Sequence, residues 1–562
     1  MRSSRYVFFG TLVVFWIAMS ICALNVSAND AAVEDTAVVE DTAGCGEKCP
    51  NFLLIVVDDM GYSDPGCYGG EIETPNLDRL AADGIRFTAF CNTSRCWPSR
   101  SSLMTGYYPQ QLRMDPVHPS HPGWITYLPQ HLRELGYRNY HSGKWHVGCC
   151  PNVLDAGFDD SYEILDTDRH FSTQSHRMNN RAMPSVERRR GEEGDYYSTN
   201  FIARQTIEQL TAHAEQTPDQ PFFAYTAFIS PHFPIMAPAA TVAKYHETYI
   251  PGWDAIRSVR FDRMRTLGIY EGEISAREPK VGPPYPDLAV LDELGPGEIL
   301  FPIAWDELTS EQQAFQAAKM SVHAAMVDEV DRAIGRILEQ IRSMGQLENT
   351  VVMFLSDNGA SAEICIRGDR HDPAASLGSP ESFLCLGPGF STASNTPFRR
   401  HKTWVHEGGI STPLIVCAPH VMGENLRGTI TRQPGHLVDL TPTILELAGV
   451  KELIGGDEVK TYPGVSLAPL LRDEVSRIDG RHLWFSHEGN QALKRYDADG
   501  EWKIVLTKKE QTSGGPERWE LYDLRTDRAE QHDRSGEYPE RTVSMIAEWK
   551  QMNEQFLRDS QE

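Results

Sequence analysis

The chain has 562 residues, 40% of them hydrophobic and 23% charged, with a formal net charge of −25. That length exceeds one ordinary small domain and fits a large domain with a smaller companion. The composition is globular, and the acidic balance argues against a nucleic-acid binder. An anionic substrate stays compatible, because a few local cations in a closed pocket outweigh a distant net charge.

In chain order, Arg2 and Arg5 precede an apolar run from Tyr6 to Leu24 and the small-residue pattern Val26-Ser27-Ala28. This reads as a secretory signal peptide over residues 1–28, so the mature protein is expected to be secreted or periplasmic. The run is close to spanning length, and an uncleaved N-terminal membrane anchor is the alternative. No other membrane association is expected. Residues 29–48, rich in Ala, Val, Asp and Glu, read as a solvated linker. Eleven cysteines, one of them in the signal, allow disulfides in an oxidising compartment. Cys45 with Cys49, and the adjacent Cys149 and Cys150, are candidates. No zinc-ribbon spacing occurs.

The catalytic domain is expected over residues 49–455. Asn51 to Val57 has the length and branching of a buried parallel strand, and it ends at Asp58 and Asp59. "TPNLDRLAADGIRF" is a helix, a Gly84 stop and a strand. "LPQHLRELGYRNYHSGKWH" repeats that logic. "NFIARQTIEQLTAHAE" is helical, and "PFFAYTAFISPHFP" is a strand with a polar end. Residues 360–400, rich in Gly, Ser and Pro, read as a long loop, flanked by an amphipathic helix with the strand "TVVMFLSDNG" before it and by "TPLIVCAP" after it. Alternating strands and helices predict an α/β fold, a large mostly parallel sheet sandwiched by helices. From residue 456 to 562 the pattern changes to short strands and a final helix, from about Glu540 to Leu557. That predicts a smaller antiparallel α+β subdomain.

Polar residues recur at the predicted carboxyl ends of strands: Asp58 and Asp59, Lys144 and His146, His232, and Asp357 with Asn358. Ligands bind at that edge of open α/β sheets. Singly, an aspartate there is more often a helix cap and a His-Pro pair a turn. Together, Asp58, Asp59, Asp357 and Asn358 offer hard oxygen ligands, which suit Ca²⁺ or Mg²⁺.

"CNTSRCWPSRSSLMTG" leaves a disulfide, a metal site, a buried thiol and a nucleophile open for Cys91 and Cys96. Cys96-Trp97-Pro98-Ser99-Arg100 followed by Leu103-Met104-Thr105-Gly106 resembles the signature of the type I, formylglycine-dependent sulfatases of the alkaline phosphatase superfamily. "DDMGYSDPGCYGG", "GKWHVG", "SPHFP", "LSDNG" and "HEGG" resemble further landmarks in that family's order, and "NTPFRRHKTWVHEGGISTP" is most similar to bacterial arylsulfatase-like members. The resemblance implies an alkaline phosphatase-like fold and hydrolysis of aryl or carbohydrate sulfate monoesters. It implies a formylglycine made from Cys96 by a formylglycine-generating maturation enzyme. The hydrated aldehyde would attack sulfur with one hydroxyl and release sulfate through the other. It also implies one Ca²⁺ (or Mg²⁺) held by Asp58, Asp59, Cys96, Asp357 and Asn358. Arg100 and Lys144 would face the sulfuryl charge, His146 would drive release, and His232 and Lys402 would protonate the leaving oxygen. A phosphonate or phosphate ester hydrolase of the same superfamily and a non-catalytic sulfoglycan-binding protein are the competing readings. His118, His121, Arg188 to Arg190 and His371 are either pocket residues or solvated surface.

Overall fold

The computed structural model describes residues 49–117, 121–148, 152–186, 196–367, 371–451, 453–454, 460–508 and 517–561. The expected signal peptide and linker, Cys45, Cys149, Cys150, His118 and Arg188 to Arg190 lie outside them. Among the described residues no helix is long and apolar enough to cross a membrane.

Ten strands form one mixed sheet: β1 Asn51–Val57, β2 Ile85–Phe87, β3 Arg138–Gly143, β4 Asp160–Ile164, β5 His176–Met178, β6 Arg181–Ala182, β7 Phe222–Ala227, β8 Thr350–Ser356, β9 Leu414–Cys417 and β10 Thr429–Thr431. Their spatial order is β10-β2-β9-β8-β1-β7-β3-β4-β5-β6. The central four, β8, β1, β7 and β3, run parallel, with Leu54 opposite Met353 on one side and Tyr225 on the other. The "TPLIVCAP" strand, β9, enters antiparallel between β8 and β2.

The sequence of β1 explains its central place. All seven residues are buried, as a strand covered on both faces requires. Because successive side chains point to opposite faces, Leu53, Ile55 and Val57 enter one core and Phe52, Leu54 and Val56 the other. Helices α1 (Pro75–Asp83), α4 (Ser198–Gln216) and α5 (Ser310–Ser343) cover the first face through Leu77, Ile202, Val327 and Ile334. Helices α2 (Cys96–Thr105), α3 (Leu128–Glu134) and α8 (Leu440–Leu447) cover the second through Leu103, Leu128 and Ile444.

Two elements depart from the sequence reading. The amphipathic helix starts upstream of its apolar pattern, because Thr309 and Gln312 form a capping box ahead of Ser310. Within the expected loop 360–400, Gly387–Ser394 is a fully buried helix, α6. Its Gly and Ser content reads as loop, but a small surface is what its position needs: a Cβ on Gly389 would lie 2.6 Å from the Trp253 ring.

The C-terminal strands β11 (Arg481–His487), β12 (Asn490–Asp497), β13 (Gly500–Leu506) and β14 (Trp519–Asp523) form the expected antiparallel sheet in sequential order. Helix α9 (Pro539–Asp559) packs on it through stacked Trp484 and Trp549, ring centroids 5.3 Å apart. A buried charge cluster ties this sheet to the short helix α7 (Glu407–Ile410). The Glu407 carboxylate meets Lys494 at 2.7 Å, Lys503 at 2.8 Å and Arg528 at 3.1 Å. Removing the anion would leave Lys494 and Arg528 without a carboxylate partner in the interior, and Lys503 with only Glu530, at 2.6 Å. Glu407→Ala is therefore expected to cost about 3–5 kcal/mol of stability, read as a lowered urea midpoint against wild type.

Candidate active site

The four central strands end side by side, and each delivers polar residues to the same edge. Asp58 and Asp59 follow β1, Asp357 and Asn358 follow β8, Lys144 follows β3, and His232 lies just beyond β7. Cys96 is the first residue of α2, and Lys402 comes from the segment before α7. Asp58, Asp59, Cys96, Arg100, Lys144, His232, Asp357, Asn358 and Lys402 are all buried. They come from distant segments of the chain, and the fold gathers them.

The contacts divide the group into anions and the cations that flank them. Lys144 is ion-paired directly to Asp58. Arg100 Nε donates to Asp357 Oδ2 at 2.7 Å, and its Nη1 donates to the Lys144 carbonyl at 3.0 Å. Lys402 Nζ lies 2.6 Å from Asp59 Oδ1, and Asn358 Nδ2 donates to that same oxygen at 2.6 Å. His232 Nε2 stands 3.8 Å from Asp59 Oδ2. Asp58 Oδ1, Asp59 Oδ2, Asp357 Oδ1 and Asn358 Oδ1 are buried without a hydrogen-bond partner. Buried polar atoms are nearly always satisfied. Four orphaned oxygens, one from each of the expected ligands other than Cys96, fit a hard divalent cation. Asp58, Asp59 and His232 also bring ligand atoms within 4.8 Å of one another, so His232 borders the same cradle.

Charge placement splits the carboxylates. Burial, and then the Asp58 charge, raise Asp357 to about 7. Burial opposes ionisation of Asp58 as well, but Lys144, His232 and Arg100 outweigh it and hold that carboxyl well below the usual range. Burial pushes the Cys96 thiol up against the pull of Lys144 and Lys402. Lys402 is raised, since Asp59 and Glu363 overcome its desolvation. Burial and then Lys402 lower His232. His146 sits apart, with its ring open to solvent beside Trp97, centroids 6.0 Å apart. Crowding by the protein on its other sides, followed by Lys144 and Arg100, pushes its pKa well down.

The backbone is bent to achieve this. Asp59, Ser94, His146, Arg400 and Thr403 all have positive φ, between 52° and 81°, a conformation that costs non-glycine residues energy and clusters at functional sites. The glycines of "LSDNG" and "HEGG" allow a close backbone crossing. A Cβ on Gly359 would lie 1.9 Å from the Gly408 carbonyl oxygen, and Gly359 N donates to Gly409 O at 3.1 Å.

Two site residues escape sequence reasoning. Glu363 Oε1 lies 3.3 Å from Arg95 and Oε2 lies 3.6 Å from Lys402. Those cations outweigh its burial and bring its pKa to about 2. The Arg95 guanidinium sits between Trp97 and Tyr285, 5.0 and 5.3 Å from the ring centroids. Glu363 falls in a segment that reads as loop, with no periodicity to mark it. Arg95 is only visible as the neighbour of Cys96. Of the open surface residues, His121 is paired with Tyr127 and His371 accepts from Phe383 N at 3.1 Å. Cys91 and Cys96 are both free, which removes their disulfide; Cys91 contacts Lys494 at 3.1 Å instead. Cys49 is disulfide-bonded.

An α/β sheet whose carboxyl edge combines a hard-cation cradle with a ring of Arg, Lys and His defines a hydrolase of oxyanion esters. The chain belongs to the sulfatase family, the sulfuric ester hydrolases: the family model "Sulfatase" matches residues 50–450. An uncharacterized sulfatase of Schizosaccharomyces pombe is 31% identical over 89% of this chain and 93% of its own. The arylsulfatase of Klebsiella aerogenes is 30% identical over 77% of this chain and 92% of its own. A structure solved with its substrate D-glucosamine-2-N,6-O-disulfate shares the fold at TM-score 0.60 and 18% identity, covering 92% of this chain and all of the other.

The glycine crossing gives a direct test. Gly359→Ala forces the Asp357–Asn358 turn away from "HEGG" and is expected to lower stability by about 1–3 kcal/mol, with loss of turnover. Gly123→Ala, where nothing lies within 4 Å of the added Cβ, serves as the neutral control in the same thermal melts and assays.

Proposed function

We propose that the protein is an exported sulfatase that hydrolyses carbohydrate or aryl sulfate monoesters with a formylglycine made from Cys96 by a formylglycine-generating enzyme. The observation that carries this reading is the position of Cys96. It opens α2 inside the charged ring and feels Lys144, Lys402, Asp58 and Asp357, beside the four orphaned oxygens. The hydrated aldehyde supplies a hydroxyl nucleophile together with a second hydroxyl for release. Asp58, Asp59, Asp357 and Asn358 would hold one Ca²⁺, with Mg²⁺ the alternative, and a cation there would supply Lewis-acid polarisation of the sulfate oxygens.

The chain's own groups supply the rest. Arg100 Nη2 is buried without a hydrogen-bond partner, so this donor is available to a sulfuryl oxygen. Lys144 adds a second fixed cation on the same side through its pairing with Asp58. His146, neutral and open to solvent, accepts the proton whose removal drives sulfate release. His232 and Lys402 stand on the Asp59 side, where they hold the ester oxygen and deliver a proton as the alcohol departs. Glu363 keeps Lys402 charged and directed. The N-acetylgalactosamine-6-sulfatase relatives and the glucosamine disulfate complex support a sugar sulfate as the natural substrate. The apolar segment Tyr6 to Leu24 supports export, to the periplasm or beyond.

Leaving-group chemistry tests the assignments. Sugar alcohols are poor leaving groups and need the proton, whereas nitrophenolate hardly does. His232→Ala and Lys402→Ala are therefore expected to lose far more turnover on a sugar sulfate than on nitrophenyl sulfate. Arg100→Ala is expected to lose about 100-fold or more on both, as removal of a transition-state donor does. Equal losses across the substrate pair for the first two variants would place them on the sulfuryl group instead.

The cation has its own test. Chelation is expected to lower the melting temperature and abolish turnover, and added Ca²⁺ to restore both. Asp357→Ala protein should show no such Ca²⁺ response in the melt. Two tightly bound zinc ions by elemental analysis would contradict the single hard-cation site.

A further inference from the structure

The Cys365 and Cys385 Sγ atoms lie 3.7 Å apart, and both residues are free thiols. Cys385 also donates toward the Cys365 carbonyl at 3.5 Å. Among the described residues this is the one pair of thiols in contact. Cys385 is buried and Cys365 half-buried, packed with Phe233, Phe383 and Ile366. Both cysteines lie in the segment between β8 and α6. Cys365 follows Glu363 by two residues, and Cys385 precedes Gly387, the start of α6, by two.

We propose that Cys365 and Cys385 are a disulfide-forming pair, closing this segment into a covalent loop beside the leaving-group side of the active site. The sulfurs are already in contact, so bonding needs an approach from 3.7 Å to about 2.0 Å. The bond would brace the residues that face the departing alcohol. Phe233 adjoins His232, and Lys402 Nζ lies 5.6 Å from the Phe233 ring. Glu363, held by Arg95 and Lys402, sits two residues before Cys365.

The chemistry is thiol–disulfide exchange with an external disulfide, either a protein oxidase of the export compartment or oxidised glutathione. Cys365 is the first nucleophile, since it is the more exposed thiol and both the Cys385 hydrogen bond and the Arg367 cation lower its pKa. Its thiolate attacks one sulfur of the carrier, and one carrier thiolate leaves. Cys385 then gives its proton to solvent and attacks the Cys365 sulfur, expelling the second carrier thiolate. Two protein thiols become one disulfide, and the carrier is reduced by two electrons.

The test uses the full chain and does not depend on sulfatase turnover. Purified protein is incubated with oxidised glutathione, remaining thiols are alkylated, and peptides are mapped without reduction. The expected result is a linked pair of peptides holding Cys365 and Cys385, separated by reduction. The oxidised protein is expected to melt at higher temperature than the reduced protein, a shift absent in Cys385→Ser. Alkylation of both cysteines in folded protein, or a glutathione adduct that persists on Cys365, would overturn the proposal.

Discussion

The structure turns on four oxygen atoms that have no partner. Asp58, Asp59, Asp357 and Asn358 each bury one oxygen at the meeting point of β1 and β8. Two parallel neighbours in register cannot avoid placing the residues after their last paired positions side by side. The cost of crowding these carboxylates in a dry site is visible in Asp357, raised to about 7 by burial and by Asp58. A hard cation would remove that cost, and Arg100, Lys144 and Lys402 reduce it from the flanks. The same positive shell then suits a substrate that is itself a tetrahedral anion.

Much of the remaining architecture keeps this arrangement in place. The "HEGG" glycines let the backbone after Asn358 cross the start of α7 at contact distance. Glu407 of that same motif anchors α7 to the C-terminal sheet through the buried Lys494 and Lys503 and the half-buried Arg528. The C-terminal sheet thus connects electrostatically to the carboxyl edge of the large sheet, through a residue five positions from Lys402. Positive φ at Arg400 and Thr403 marks the strain borne where that connection meets the site.

The fold was legible because its strands are buried on both faces: "NFLLIVV" and "TVVMFLS" leave few alternatives to parallel core strands, and the structure places them together. The polar cluster at the sheet edge was legible because polar residues recur after several such strands at once, a coincidence that single caps and turns do not explain, and Asp58, Asp59, Asp357 and Asn358 are buried together. The antiparallel entry of β9 was not readable, since four apolar residues carry no direction. Helix α6 was missed because its Gly and Ser content, which lets it pack against Trp253, imitates a loop. Glu363 and Arg95 were missed for a different reason. Their roles come from contacts across long loops, with Lys402, Trp97 and Tyr285, and no spacing in the chain announces those.

The proposed chemistry begins at Cys96, a buried residue at the head of α2 within a ring of charge. Mass analysis of the peptide carrying Cys96, from active protein produced with a maturation enzyme, tests it most directly. The account predicts an aldehyde in place of the thiol, trapped by a carbonyl reagent, in proportion to sulfate-ester turnover. Full turnover by protein whose Cys96 is wholly an unmodified thiol would contradict it.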